Sequence, residues 1–337
     1  MRARLAMLWG FARPFWVAGV VMSGAYGMSV SGVIAGRALT GDSIRIIGLT
    51  NNLLHLMILP SLILLPLMLL ARRWIQSAWL ILPFLVSVAH YAPLFWGTPM
   101  PTDSQPLTLL TYNVLSSQSP YDDRIGLIAR AGADVVAVQE LGMGMADQME
   151  RDLSEAYPYQ ALHPNRIDVV GQGIVSRYPI VESTFWQTEG IPALGHQRVR
   201  LDVMGREVVV YNLHAIHPGM IELRVDARNQ EIEGILQRAL DDLAIYPVVL
   251  MGDFNMTQFT TPYQSITRHF KDAWREVGYG VGFTFPNWSE PVNLPLLRLD
   301  HVFYSAEWNA QQAHVLPPVD GSDHYPLWVQ LTFERIK

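Results

Sequence analysis

Cysteine is absent from the 337 residues. The fold therefore owes nothing to disulfides, thiolate metal sites are excluded, and the chain is indifferent to an oxidising compartment. Charge is nearly missing from the first hundred residues. They hold seven of the 24 basic residues (Arg2, Arg4, Arg13, Arg37, Arg45, Arg72 and Arg73) and, of the 30 acids, only Asp42. Residues 101–337 carry the remaining 17 bases against 29 acids, a net of −12. That balance repels a polyanion, which argues against a tight nucleic-acid binder though not against a nuclease. Internal repeats and low-complexity tracts are lacking too.

What fills the charge-poor region is apolar. Three stretches, 14–36, 46–70 and 74–96, each have about the ~20-residue length that crosses a bilayer as a helix. Between Arg37 and Arg72 only Asp42 and Arg45 are charged, so a soluble hydrophobic core is a poor reading. Pro60, Pro66 and Pro83 break or kink soluble helices, yet such prolines are tolerated in spans packed against neighbours. Trp9, Trp16, Trp74, Trp79 and Trp96 lie near the expected boundaries, as interfacial aromatics do. Gly19, Ser23 and Gly27 recur every four positions, a spacing that lets helices approach closely. His55, inside the second stretch, reads as a packed bundle residue. A signal peptide is disfavoured because two further spans follow the first and no small-residue cleavage site stands out. Five arginines in the N-terminal arm and second connection, against two in the first connection, place the N-terminus in the cytoplasm and residues beyond 97 outside.

Residues 98–106 read as a linker, and 107–337 as a separate domain in which short strands alternate with helices. The stretch PVVLMGDFNMT, Pro247 to Thr257, organises it. Val248 to Met251 form a short apolar run suited to a strand covered on both faces. Gly252 ends it, and alternation then puts Asp253 and Asn255 on one side with Phe254 on the other. Taken alone, such a turn is an Asx turn. Polar residues recur at strand ends, however: Asn113, Glu140, His214, Asp253 with Asn255, Asp300, and Asp323 with His324. A long helix is expected from Met220 to about Leu240.

In their order, TYNVL, VVAVQEL, GQGIVSRYPI, VVYNLHAIHP, VVLMGDFNM, FTFPNW with RLDHVFYS, and GSDHYPLWVQL resemble the endonuclease/exonuclease/phosphatase superfamily over residues 107–332. The resemblance implies an α+β, DNase I-like fold, a four-layer sandwich of two packed mixed sheets flanked by helices, here preceded by three transmembrane helices. It implies a phosphoester hydrolase using Mg²⁺ or Mn²⁺, with Glu140 and Asn113 as metal ligands and Asp323 as a further metal contact. His324 would activate water with Asp300 orienting it. Asp253 would position that water, Asn255 would bond the phosphoryl oxygens, and His214 would contact the phosphate or protonate the leaving oxygen. No covalent enzyme intermediate is needed.

Trp186 and Trp288, in aromatic-rich loops, are candidates for substrate contact or for closing the sandwich. His196, His217 and His301 are expected at the surface or strand edges, and Arg228 and Gln230 are expected to pack or pair. The basic residues that grip duplex DNA are not evident near the motifs. The expected partners are therefore the bilayer and a lipid-borne or small phosphoester. A nuclease acting outside the cytoplasm and a catalytically silent binding module of the same fold are the rival readings.

Overall fold

In the computed structural model, residues 2–97, 105–166, 168–188, 194–219, 224–287 and 294–333 are described. Contacts divide the chain into two compact units, Met1–Pro93 and Leu94–Lys337. Most of the expected linker, 98–104, lies outside the described residues.

The first unit is helical: α1 (Arg2–Thr40), α2 (Arg45–Ile58), α3 (Ser61–Leu70) and α4 (Trp74–Tyr91). Two segments, Arg13–Thr40 and Trp74–Phe95, are long and apolar enough to cross a membrane. The expected second span is not one straight helix: α2 and α3 meet at 52°, so the count is two, or three if the bent pair is one span. Pro60 at the break explains the bend, because its ring displaces the preceding turn and it has no N–H to donate. Ser61 Oγ and Ser87 Oγ donate to the Ile58 carbonyl at 2.5 Å and 2.7 Å, satisfying a group the bend would otherwise strand. At Gly27, where α1 and α4 approach closely, a Cβ would lie 3.0 Å from the Trp79 carbonyl; Gly19, by contrast, has open space around it, so only part of the small-residue spacing is used for contact.

The second unit is two six-stranded sheets. One is ordered β11-β12-β1-β2-β4-β3, from β1 (Pro106–Asn113), β2 (Val135–Gln139), β3 (Tyr159–His163), β4 (Gln172–Ser176), β11 (Trp308–Val315) and β12 (Leu327–Phe333). The other is ordered β5-β6-β7-β8-β10-β9, from β5 (Ile180–Gln187), β6 (Gly195–Val203), β7 (Arg206–His214), β8 (Val248–Asp253), β9 (Lys271–Asp272) and β10 (Asp300–Tyr304). Helices α5 (Asp122–Ala131) and α6 (Met143–Asp152) pack on the first sheet, and α7 (Val225–Leu243) and α8 (Thr261–Thr267) on the second. The short α9 (Ala273–Val277) follows β9.

Each sheet has one parallel pair at its centre, β1 with β2 and β7 with β8. Alternation assigns the faces. Leu110, Tyr112, Val136 and Val138 join the core under α5 and α6. Val209, Tyr211, Leu213, Val248 and Leu250 join the core under α7 and α8. The intervening residues face the opposite sheet, and at the strand ends these are Asn113, His214 and Asp253. Just behind them the sheets are clasped by polar bonds. Gln139 Nε2 donates to Asn212 Oδ1 at 2.7 Å, and Asn212 Nδ2 donates to Val138 O at 2.9 Å. Burying such groups costs little only when they are paired, and here they fix how the sheets register.

Candidate active site

Four strands deliver the polar residues to one edge. Asn113 ends β1, Glu140 follows β2, His214 ends β7 and Asp253 ends β8. Asp300 opens β10, which runs antiparallel to β8 so that Asp300 pairs with Asp253. Gly252 makes the β7–β8 approach possible: at φ +142° it sits so near Leu213 that an added Cβ would fall 2.0 Å from the Leu213 carbonyl. Glu140 and Asn255 hold positive φ values of +58° and +46°, uncommon for residues with side chains and frequent at functional sites.

The loop before β12 brings Asp323 and His324. Ser322 Oγ donates to Asn113 O at 2.6 Å and accepts from His324 N at 3.1 Å, tying this loop to the end of β1. Arg124, fully buried on α5, donates to Val114 O, Leu115 O and Gly321 O at 2.6, 2.9 and 2.8 Å. One guanidinium thus holds the loop after Asn113 against the loop before Asp323.

His324 Nδ1 lies 2.8 Å from Asp300 Oδ2, and its Nε2 lies 3.5 Å from Asp253 Oδ2. Thr284 Oγ1 accepts from Leu299 N and Asp300 N, fixing the carboxylate's backbone. Burial by itself would depress the His324 imidazolium, but Asp300 and Asp253 outweigh it and raise the group to about 10. Asp253 is pushed up from the usual carboxylate range, by burial first and by Asp300, against the pull of His324.

Asn113 Nδ2 donates to Glu140 Oε1 at 3.0 Å and to Asp253 Oδ2 at 3.2 Å, while its Oδ1 accepts from Leu115 N. His214 Nε2 lies 3.7 Å from both Glu140 Oε1 and Asp253 Oδ2, and its Nδ1 lies 3.1 Å from Val169 O. Burial lowers the His214 pKa despite Asp253, which favours the neutral ring with its proton on Nδ1 toward Val169. Asn255 Nδ2 donates to Ala215 O at 2.9 Å, and Asn255 N to Asp253 Oδ1 at 2.9 Å.

Glu140, His214, Asp253, Asn255, Asp323 and His324 line one cleft of about 590 Å³, with Val169, Leu194, Ile216, His217, Gly219, Arg224 and Phe285 as its other described walls. The Phe285 ring lies 4.9 Å from that of His324. Among the described residues no group of three or more His, Asp and Glu side chains is spaced to hold a metal ion by itself. The donor chemistry nevertheless suits a hard cation: Glu140 and Asp323 are carboxylate donors on the cleft wall, and Mg²⁺ commonly binds through one or two carboxylates while keeping waters. Asn113, whose Nδ2 faces Glu140, would add its oxygen only with the amide turned over.

Two expectations need correcting: His196 and His301 are not surface groups but fully buried. His217 is exposed, as expected, and lines the cleft. Trp186 is outside the cleft wall. It packs 5.5 Å from His196 and 6.2 Å from Tyr211, with the Arg238 guanidinium 5.1 Å over its ring. Trp288 and the expected helix start at 220–223 lie outside the described residues. Arg228 does pack, donating to Asn255 O at 3.1 Å. Sequence reasoning missed Arg224, Val169 and Arg124, none of which ends an apolar run; Phe285 lay within the FTFPNW motif without a role of its own.

A model of the Endonuclease/Exonuclease/phosphatase family matches residues 110–324. Among solved structures, a family protein from Bacteroides thetaiotaomicron superposes with a TM-score of 0.55 at 22% identity, covering 69% of this chain and 100% of that one. A family protein from Bacteroides vulgatus gives 0.57 at 17%, covering 68% and 100%. D. rerio TDP2 complexed with single strand DNA product gives 0.56 at 18%, covering 68% and 99%. No curated protein matches the chain.

Proposed function

Because the chain belongs to the endonuclease/exonuclease/phosphatase family and is a hydrolase of phosphoester bonds, we propose that it is a membrane-anchored, divalent-metal-dependent phosphodiesterase whose cleft takes a lipid-borne or small phosphoester. The observation that carries the chemistry is the buried Asp300–His324 pair at 2.8 Å, facing Asp253 beside the Glu140–Asn113 contact.

Asp300 accepts the Nδ1 proton of His324 and so presents Nε2 to the cleft, the logic of an acid that orients a histidine base. Asp300 and Asp253 raise the His324 pKa in the free protein, and the ring serves as a base for water in its singly protonated form. Asp253 accepts from the attacking water and aligns it. Asn255 faces the phosphoryl oxygens, its backbone held by Arg228 and its amide by Ala215. His214, with its proton on Nδ1 held by Val169, turns a bare Nε2 into the cleft, where it would contact a donor on the phosphate or its bound water. Glu140, Asn113 and Asp323 would hold Mg²⁺ or Mn²⁺, which when bound supplies positive charge to the phosphate and the leaving alkoxide.

Two features support the substrate class. Val169, Leu194, Ile216 and Phe285 give the cleft apolar walls, and Arg224 is the one arginine or lysine among its described lining residues. The net of −12 over residues 101–337 disfavours a long polyanion. Anchoring through the apolar helices, with the catalytic unit outside the cytoplasm, would keep the cleft near lipid headgroups. A nuclease is the second reading, favoured by the likeness to TDP2 solved with single strand DNA product.

The test compares specificity constants of the full-length protein for phospholipid in mixed micelles and for plasmid and single-stranded DNA, at low and physiological salt. Activity lost to EDTA, restored by Mg²⁺ or Mn²⁺ and higher on phospholipid is expected. Faster DNA cleavage that weakens steeply with salt would establish the nuclease reading instead.

A further inference from the structure

Behind the cleft lies a second buried acid–histidine pair, distinct from Asp300–His324. His196 is the second residue of β6, and Glu231 lies in the second turn of α7. Both side chains are fully buried, with His196 Nε2 2.9 Å from Glu231 Oε1. The other carboxylate oxygen, Oε2, accepts from Ile216 N at 2.7 Å. On the far side of the ring, His196 Nδ1 lies 3.4 Å from His214 N.

Proton bookkeeping fixes this arrangement. A backbone N–H can only donate, so His196 Nδ1 must be the bare nitrogen that accepts from His214. The ring's single proton then sits on Nε2, where Glu231 accepts it. Glu231 in turn uses both oxygens as acceptors, one for His196 and one for Ile216. Each hydrogen has one place.

We propose that Glu231 and His196 form a tautomer lock that positions His214 for the phosphoester chemistry, an inference that rests on the hydrolase reading of this site. The carboxylate selects the Nε2–H ring, the ring holds His214 N, and the second oxygen holds Ile216 N. The backbone on either side of Ala215 is thereby pinned to α7, and the His214 imidazole is kept 3.7 Å from Glu140 and Asp253. The same helix reaches the neighbouring strand end through Arg228, which donates to Asn255 O one turn before Glu231. His196 and Glu231 do not line the cleft. They are positioning residues, and the 3.4 Å contact serves alignment more than binding energy.

Glu231→Gln separates a lock from mere packing. The carboxamide has the same shape but one acceptor and one donor. In one orientation its NH₂ meets the Ile216 N–H. In the other its NH₂ meets His196 Nε2, which drives the ring proton to Nδ1 and against the His214 N–H. A donor–donor conflict arises either way.

Two readouts on the full-length protein in detergent micelles test this. In ¹⁵N-histidine-labelled wild type, the His196 ring should show the neutral Nε2–H pattern at neutral pH. An Nδ1–H or imidazolium pattern overturns the proposal. With Mg²⁺ and a chromogenic phosphodiester, at a temperature where both proteins are folded, Glu231→Gln should lower kcat by about tenfold to a hundredfold, the scale of a displaced catalytic group, while KM holds; the buried conflict lowers the melting temperature without accounting for a loss confined to kcat. Wild-type kcat in that variant also overturns it. Should the variant fail to fold, the wild-type spectrum decides alone. A wild-type protein without turnover on the probe would defeat the hydrolase reading, and the spectrum would still decide the lock.

Discussion

Asp272 shows how single residues set the conditions under which the catalytic unit survives. Its carboxylate is fully buried and receives Arg298 NH1 and NH2 at 2.9 Å and 2.5 Å, Tyr263 OH at 2.6 Å and Trp274 N at 3.0 Å. Burial opposes the charge, but Arg298 outweighs it and holds the group at about 2. The unfolded value is about 3.9, so the folded pKa is depressed. The stability it contributes, about 2–3 kcal/mol, is present above about pH 4 and is lost as pH falls toward 2. Nearby His301 is held down to about 3, by burial first and then by Arg298. An unfolded histidine binds its proton below about pH 6.5, so this share is lost earlier on acidification. The melting temperature should fall steadily from pH 7 to pH 4 and further below it; a flat profile from 7 to 3 would contradict the assignment. At this scale the strand-end acids, amides and histidines were legible because each follows an apolar run. His196, Glu231 and Arg124 were not. Their partners lie far along the chain, and a buried histidine or arginine has the same local pattern as an exposed one.

Among elements, the junction of β7 and β8 carries most of the site, since His214 and Asp253 end adjacent parallel strands in register. Gly252 is the residue that lets them lie so close. Gly252→Ala should cost on the order of 1–3 kcal/mol through overpacking against Leu213 and an unfavourable φ. Thermal unfolding of the full-length protein measures this, and an unchanged midpoint would mean the strands separate freely there. The apolar strands β2, β7 and β8 and the amphipathic α5 were readable from periodicity. β3 was not, because its residues are exposed or half-buried without alternation, and β9 has only two residues. The bend between α2 and α3 was foreshadowed by Pro60, but apolarity alone ran the two helices together.

For the whole molecule, the sequence divided charge-poor helices from an acidic α+β region, and the two-sheet fold was legible only through the family motifs in their order, since strand pairing is non-local. The arginine bias leads to a topology prediction. A reporter active only outside the cytoplasm should be on when fused after Lys337 and off when fused after Arg73; the reverse pattern would place the catalytic unit inside. The proposed water activation by Asp300 and His324 does not depend on substrate identity or on the side of the membrane. The most direct measurement is turnover of a phosphodiester by full-length His324→Ala against wild type, at saturating Mg²⁺ and with folding checked by thermal unfolding. The account predicts a loss of about two to four orders of magnitude in kcat. A folded His324→Ala protein turning over at the wild-type rate would contradict it.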